Sequence, residues 1–101
     1  MFTVIRNYKG ATTLATELTK HQSEVEKVIG AVPGFIAYYL IKTEGGTMSV
    51  TVCETREGCD ETTKRAGEWL KQNLPDLKIE APEVTKGDLA FRFANYKTTH
   101  A

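Results

Sequence analysis

Phe35-Ile36-Ala37-Tyr38-Tyr39-Leu40-Ile41, then Glu44-Gly45-Gly46-Thr47, then Met48-Ser49-Val50-Thr51-Val52-Cys53-Glu54 is the stretch that decides the fold. Aromatic and β-branched residues fill both runs, and the paired glycines between them allow the backbone to reverse tightly, so the segment reads as a β-hairpin. The first run is apolar on both faces. A strand of that kind is expected to be covered on both sides.

Outward from the hairpin the period changes to helical. Before it, residues 12 to 29 place Leu14, Leu18, His21, Val25, Val28 and Ile29 on one stripe, with Glu17, Lys20, Glu24 and Lys27 outside it. Gly30 and Pro33 close that helix. Residues 2 to 8 alternate as a strand, with Phe2, Val4, Arg6 and Tyr8 on one face and Thr3, Ile5 and Asn7 on the other. After the hairpin, a helix from about Cys59 or Asp60 to Leu74 gathers Ala66, Trp69, Leu70, Asn73 and Leu74 on or beside one face, and Pro75 stops it. Last-strand material lies between Ile79 and Phe93. Pro82 and Gly87-Asp88 interrupt it, so a bent strand or a short strand plus an extension is expected, with Leu89, Phe91 and Phe93 in alternation. The tail beyond Asn95 is polar and expected to fray.

The order strand, helix, strand, hairpin, strand, helix, strand is the α+β arrangement βαββαβ, ferredoxin-like. It is a four-stranded antiparallel sheet with two helices on one face. The other face then lacks a cover, and its apolar residues are expected to be buried by a second copy, sheet against sheet, in a barrel-like homodimer.

A length of 101 residues gives one domain, 1–101, with its core at about 2–93. Thirteen basic residues balance thirteen acidic ones, with no basic stripe to neutralise phosphates, so nucleic acid and anionic membranes are not expected partners. Arg6 interrupts the N-terminus before any signal-peptide core forms, and a cytoplasmic location is expected. Cys53 and Cys59 are six positions apart, without zinc spacing, and read as reduced thiols. Cys59, near a helix start, is either a reactive thiol or a small buried side chain.

Pro33-Gly34-Phe35, Gly45-Gly46, Val50-Thr51-Val52-Cys53-Glu54 and Glu68-Trp69-Leu70 together resemble the antibiotic-biosynthesis-monooxygenase-like family of the dimeric α/β-barrel superfamily. The resemblance implies the fold above and a cleft in each subunit between sheet and helices. It implies no single reaction, since relatives include oxygenases of polyketides and quinols, haem-degrading enzymes and proteins of no assigned activity. The haem-degrading branch uses an Asn at the end of the first strand, a Trp on the second helix and a His about ten residues later. Asn7 and Trp69 match, but Ile79 stands where the His belongs, and none follows until His100. Haem degradation is accordingly disfavoured.

The sequence therefore points to a cofactor-independent monooxygenase of a phenolic or quinol-type aromatic, with Asn7, His21 and Trp69 as its site. Trp69 would stack on the ring and Asn7 would position it, with Ile5, under the helices if the Ile5 side faces inward. His21 would take the proton. No Gly-rich dinucleotide loop or metal cluster is present in the sequence, and no cofactor is expected. The alternative is a non-catalytic homodimer that binds a small ligand or is purely structural, in which Trp69 packs helix against sheet and His21 is a boundary residue. Of Tyr38 and Tyr39, one is expected in the cleft and the other at the dimer face. Arg92 either anchors an acidic ligand or pairs with a carboxylate.

Overall fold

The structure, a computed structural model, describes residues 1–95; the tail expected to fray lies outside them. Strand β1 is Phe2–Lys9. Two short helices follow, α1 at Leu14–Lys20 and α2 at Gln22–Gly30. The hairpin is β2, Phe35–Thr43, and β3, Gly46–Cys53. Helix α3 spans Arg56–Asn73, a 3-10 turn covers Pro75–Leu77, and β4 is Glu83–Asp88. All pairings are antiparallel in the order β2-β3-β1-β4, so the expected βαββαβ fold is present.

Two helices differ from the sequence expectation, and the last strand takes the shorter of the two forms expected for it. The first helix is broken at His21, whose φ of −107° and ψ of 25° leave the helical region, and its N–H turns back to the Leu18 carbonyl at 3.0 Å. The second begins at Arg56, before Cys59, because Thr55 is an N-cap: its hydroxyl accepts from the Gly58 N–H at 3.1 Å, a contribution of about 1 kcal/mol. The last strand ends at Asp88. Phe91 and Phe93 follow it outside any strand, 79% and 90% exposed.

Backbone geometry explains two of the glycines. Gly34 takes φ 84°, a region L side chains avoid, and its carbonyl accepts from the Glu54 N–H at 2.8 Å. A Cβ on Gly46 would run into the Tyr8 carbonyl oxygen, so the hairpin turn fits against the end of β1 only as glycine.

Burial settles which face of β1 looks at the helices. Val4, Arg6 and Tyr8 are buried, whereas Thr3, Ile5 and Asn7 lie on the open face. The expectation that the Ile5 side faces inward is corrected here. On β3 the inward side chains are Thr47, Ser49, Thr51 and Cys53, an unusually polar row for a sheet interior. Thr47 ties α1 to the sheet: its hydroxyl donates to the Ala11 carbonyl at 2.8 Å and accepts from the Ala15 N–H at 3.1 Å.

The core has two parts. Tyr8, Leu14, Leu18 and Trp69 form the larger, packed about by Val25, Val28, Leu70 and Leu74. Val4, Cys53 and Cys59 form the smaller, with Phe2 and Phe35 against them. Both cysteines are free and wholly buried, and the Cys59 thiol faces the Phe2 carbonyl at 3.4 Å, so Cys59 is the small buried side chain of the two readings. Burial, together with the neighbouring Cys59, pushes the Cys53 thiol up to about 11.

Neither thiol of the native protein is therefore expected to react with iodoacetamide near neutral pH, and both are expected to react in denaturant. Cys53 has its raised value only when folded, so its contribution to stability is whole below the ordinary thiol value of 9.0 and is lost as pH rises through about 11. Tyr8 and Tyr38, raised from 10.0 chiefly by burial, act in the same direction. The melting temperature should stay level up to about pH 9 and fall above it. A flat profile through that window would contradict the assignment.

Candidate functional site

Helix α3 turns Thr62, Ala66, Trp69 and Leu70 toward the sheet at spacings of three and four. Trp69, 8% exposed, reaches between the sheet and α2. The break at His21 brings that imidazole edge-on to the indole, with ring centres 5.5 Å apart and planes inclined by 68°. His21 is half-exposed, and its Nδ1 lies 3.6 Å from Glu24 Oε1.

Beneath Trp69 is a cavity of about 20 Å³ walled by Leu18, Val25, Ile29, Ala66 and Leu70, with Tyr8 and Tyr38 on its sheet side. His21 stands outside that lining. The cavity adjoins a groove of about 660 Å³ between α2 and β2, and Leu18, Val25, Ile29 and Tyr38 belong to both. On the far side of Tyr8 and Leu70 a second groove of about 480 Å³ runs past Leu74, Lys78 and Ile79. Tyr38, rather than Tyr39, is thus the tyrosine of the cleft; Tyr39 is 51% exposed on the opposite face.

Two of the three sequence candidates meet, and one does not. His21 and Trp69 are in contact. Asn7 is paired across the sheet with Met48 and Glu83 and projects from the open face, as alternation from buried Arg6 and Tyr8 requires. The expectation that it lies under the helices is corrected. Alternation defined the two faces of β1 correctly but left open which of them looks at the helices.

What the sequence reading missed is Arg6 itself. It is 1% exposed, and among the described residues its guanidinium is held by hydroxyls alone: Nε donates to Ser49 at 3.1 Å, Nη2 to Thr51 at 2.7 Å, and Nη1 to Thr63 at 2.8 Å and Thr62 at 3.3 Å. Among the described residues no carboxylate pairs with it. Burying a charge costs several kcal/mol even after relaxation, and neutral acceptors offset that only in part. The signal was present as Ser49-Val50-Thr51, alternating toward the face of Arg6, and as Thr62-Thr63 one turn before Ala66. Both tyrosines of the cleft feel this cation: burial raises their pKa values, and Arg6 pulls each the other way.

Arg65, one turn before Trp69, pairs with Glu61 at 2.8 Å, and Arg92 is exposed without an ion pair among the described residues. No cluster of three or more His, Cys, Asp or Glu side chains is placed to hold a metal among the described residues, and no helix there is long and apolar enough to cross a membrane. Ile79, at the position where the resemblance to the haem-degrading branch calls for a His, lines the second groove, so that position offers iron no imidazole.

The sequence matches no protein-family model and no curated protein. Solved structures resemble the fold. A mutant of MhuD with two manganese protoporphyrin IX molecules bound per active site superposes with a TM-score of 0.69 at 15% identity, over 94% of this chain and 100% of that one. A protein of unknown function from Nitrosomonas europaea, NE2512, gives 0.67 at 11%, over 93% of each chain. The ActVA-Orf6 monooxygenase of Streptomyces coelicolor, in complex with nanaomycin D, gives 0.62 at 14%, over 93% of this chain and 90% of that one. Likeness at such identities speaks to architecture alone, and by it this chain shares the ferredoxin-like α+β fold of those structures.

Proposed function

We propose that this protein is a cofactor-independent monooxygenase of a phenolic or quinol-type aromatic, acting as a cytoplasmic homodimer in the cleft between α2, α3 and the sheet. The observation that carries the reading is the contact of His21 with Trp69, which roofs an apolar cavity lined on its sheet side by Tyr8 and Tyr38. The likeness to a monooxygenase holding nanaomycin D agrees with it.

In this reading the ring enters from the groove between α2 and β2 and its edge meets Trp69. The phenolic proton leaves through solvent to His21, which stands outside the cavity lining against the edge of Trp69. The phenolate passes one electron to dioxygen, and the ring radical and superoxide recombine at a ring carbon. Loss of water from the resulting hydroperoxide leaves the quinone, so that phenol and dioxygen give quinone and water. The apolar walls formed by Leu18, Val25 and Ile29 exclude water, which strengthens any fixed dipole aimed at the developing charge. Asn7 has no part in that cleft and His21 lies outside its lining, so the three side chains do not converge on one cavity, which counts against the oxygenase reading.

A second reading, a non-catalytic dimer that binds a small ligand, is favoured by the position of Asn7 on the open face and by a cavity of only about 20 Å³ beneath Trp69. Oxygen consumption separates the two. Metal-free protein with a panel of hydroquinones and anthrones is expected to take up oxygen above the uncatalysed rate. Trp69→Phe and His21→Ala are each expected to lower that rate by about 10²-fold or more. No uptake across the panel transfers the assignment to the ligand-binding reading.

Tyr39 and Ile41, 51% and 41% exposed, lie on the open face of β2 beside Val50 and Met48 of β3, and this is the surface proposed to meet the partner. Light scattering is expected to give twice the chain mass of 11.2 kDa, and Ile41→Asp to give the single mass. A wild-type monomer at micromolar concentration would remove the dimer from the proposal.

A further inference from the structure

We infer that the sheet side of the cleft is an oxyanion site, in which the hydroxyls of Tyr8 and Tyr38 hold the charged oxygen of a flat phenolate or enolate and Arg6 behind them supplies the counter-charge. The inference rests on the cleft being the ligand site, a premise both readings above share.

A guanidinium 1% exposed and bonded, among the described residues, only to Ser49, Thr51, Thr62 and Thr63 keeps its full charge in a medium of low polarity. Its field is therefore poorly screened and favours any anion brought close. Two phenols line the cavity near that charge: Tyr8 stands two residues beyond Arg6 on the same face of β1, and Tyr38 is the cross-strand partner of Thr51, which accepts from Nη2. Burial keeps both protonated at neutral pH, so they can act as O–H donors; Arg6 opposes the shift in each, and a hydrogen bond with Ser49 opposes it in Tyr38. A donor polarised by a cation behind it is better suited to an oxyanion than to a neutral oxygen.

The surroundings set the ligand's shape. Tyr38 is the polar residue that the small cavity shares with the 660 Å³ groove, and the other shared side chains are Leu18, Val25 and Ile29. An aromatic body fits the groove with its charged oxygen turned inward. Glu26 of α2 lines the outer groove, so a second negative charge at that end is repelled. The remaining charges nearby are occupied or remote: Lys86 of β4 pairs with Asp60 of α3 at 2.8 Å, and His21 faces Glu24 beyond Trp69. The ligand class is thus a flat aromatic with one acidic hydroxyl and an otherwise neutral rim. On binding, its proton leaves to solvent or to His21.

The test uses para-nitrophenol under nitrogen, whose absorption distinguishes phenol from phenolate, with nitrobenzene as the neutral counterpart. Binding is followed by the fluorescence of Trp69, the single tryptophan. At a pH below the free phenol's own pKa, the bound form is expected to be phenolate, held about tenfold or more tighter than nitrobenzene. Tyr38→Phe and Arg6→Met are expected to lose most of that preference while leaving nitrobenzene affinity unchanged. Bound neutral phenol, equal affinities for the two ligands, or no binding of either would overturn the inference. The wild-type comparison decides even if a variant fails to fold. Phenolate binding without oxygen uptake would sink the oxygenase reading alone, and uptake without phenolate preference would sink this inference alone.

Discussion

The buried guanidinium of Arg6 is the constraint on which the interior depends. It sits on β1, next to the centre of the sheet, and draws its hydrogen-bond partners from β3 and α3. An apolar residue at this position would have allowed β3 to carry aliphatic side chains inward. Instead Ser49 and Thr51 face the helices, and α3 meets them with Thr62 and Thr63, whose hydroxyls also donate to the Cys59 carbonyl. The polar layer divides the core into an aromatic part around Trp69 and a small part around Cys53 and Cys59.

That division locates the cleft. Above the guanidinium, Tyr8 and Tyr38 cap the polar layer, and the apolar residues of α1, α2 and α3 close over them. The helical break at His21 belongs to the same region, since a continuous helix through that residue would not give the backbone angles that set the imidazole against Trp69. A buried charge without a counter-ion is a poor way to stabilise a fold, because both its desolvation and its neutral partners favour replacement by an apolar side chain. A ligand that carries the missing negative charge gives the arrangement a purpose.

The architecture was legible because it rests on patterns that burial cannot easily overturn: the doubled apolar run of β2, the Gly45-Gly46 hairpin, and helical stripes on either side. Boundaries were less so. The single helix expected over residues 12 to 29 reads smoothly in sequence, and its break at His21 is a tertiary outcome of packing against Trp69. Half of the candidate site was legible too. Trp69 and His21 stand out as the one indole and the one imidazole on apolar stripes. Asn7 was left conditional because a strand with Arg on one face and Asn on the other offers two plausible inward sides, between which alternation does not choose. The hydroxyls on β3 and α3, distant in sequence, decide it by receiving Arg6.

The measurement that bears most directly on this account is the stability of Arg6→Met by urea unfolding. If the guanidinium is held in the core for the cleft, methionine combined with Ser49→Ala and Thr51→Val, which remove hydroxyls it would otherwise leave unsatisfied, should keep stability within about 1 kcal/mol of the parent or raise it, since neutral packing then replaces a desolvated charge and its partners. A loss of about 3 kcal/mol or more would mean that Arg6 is a structural post holding β1, β3 and α3 together, and the account of the cleft as a site for negative charge would lose its basis.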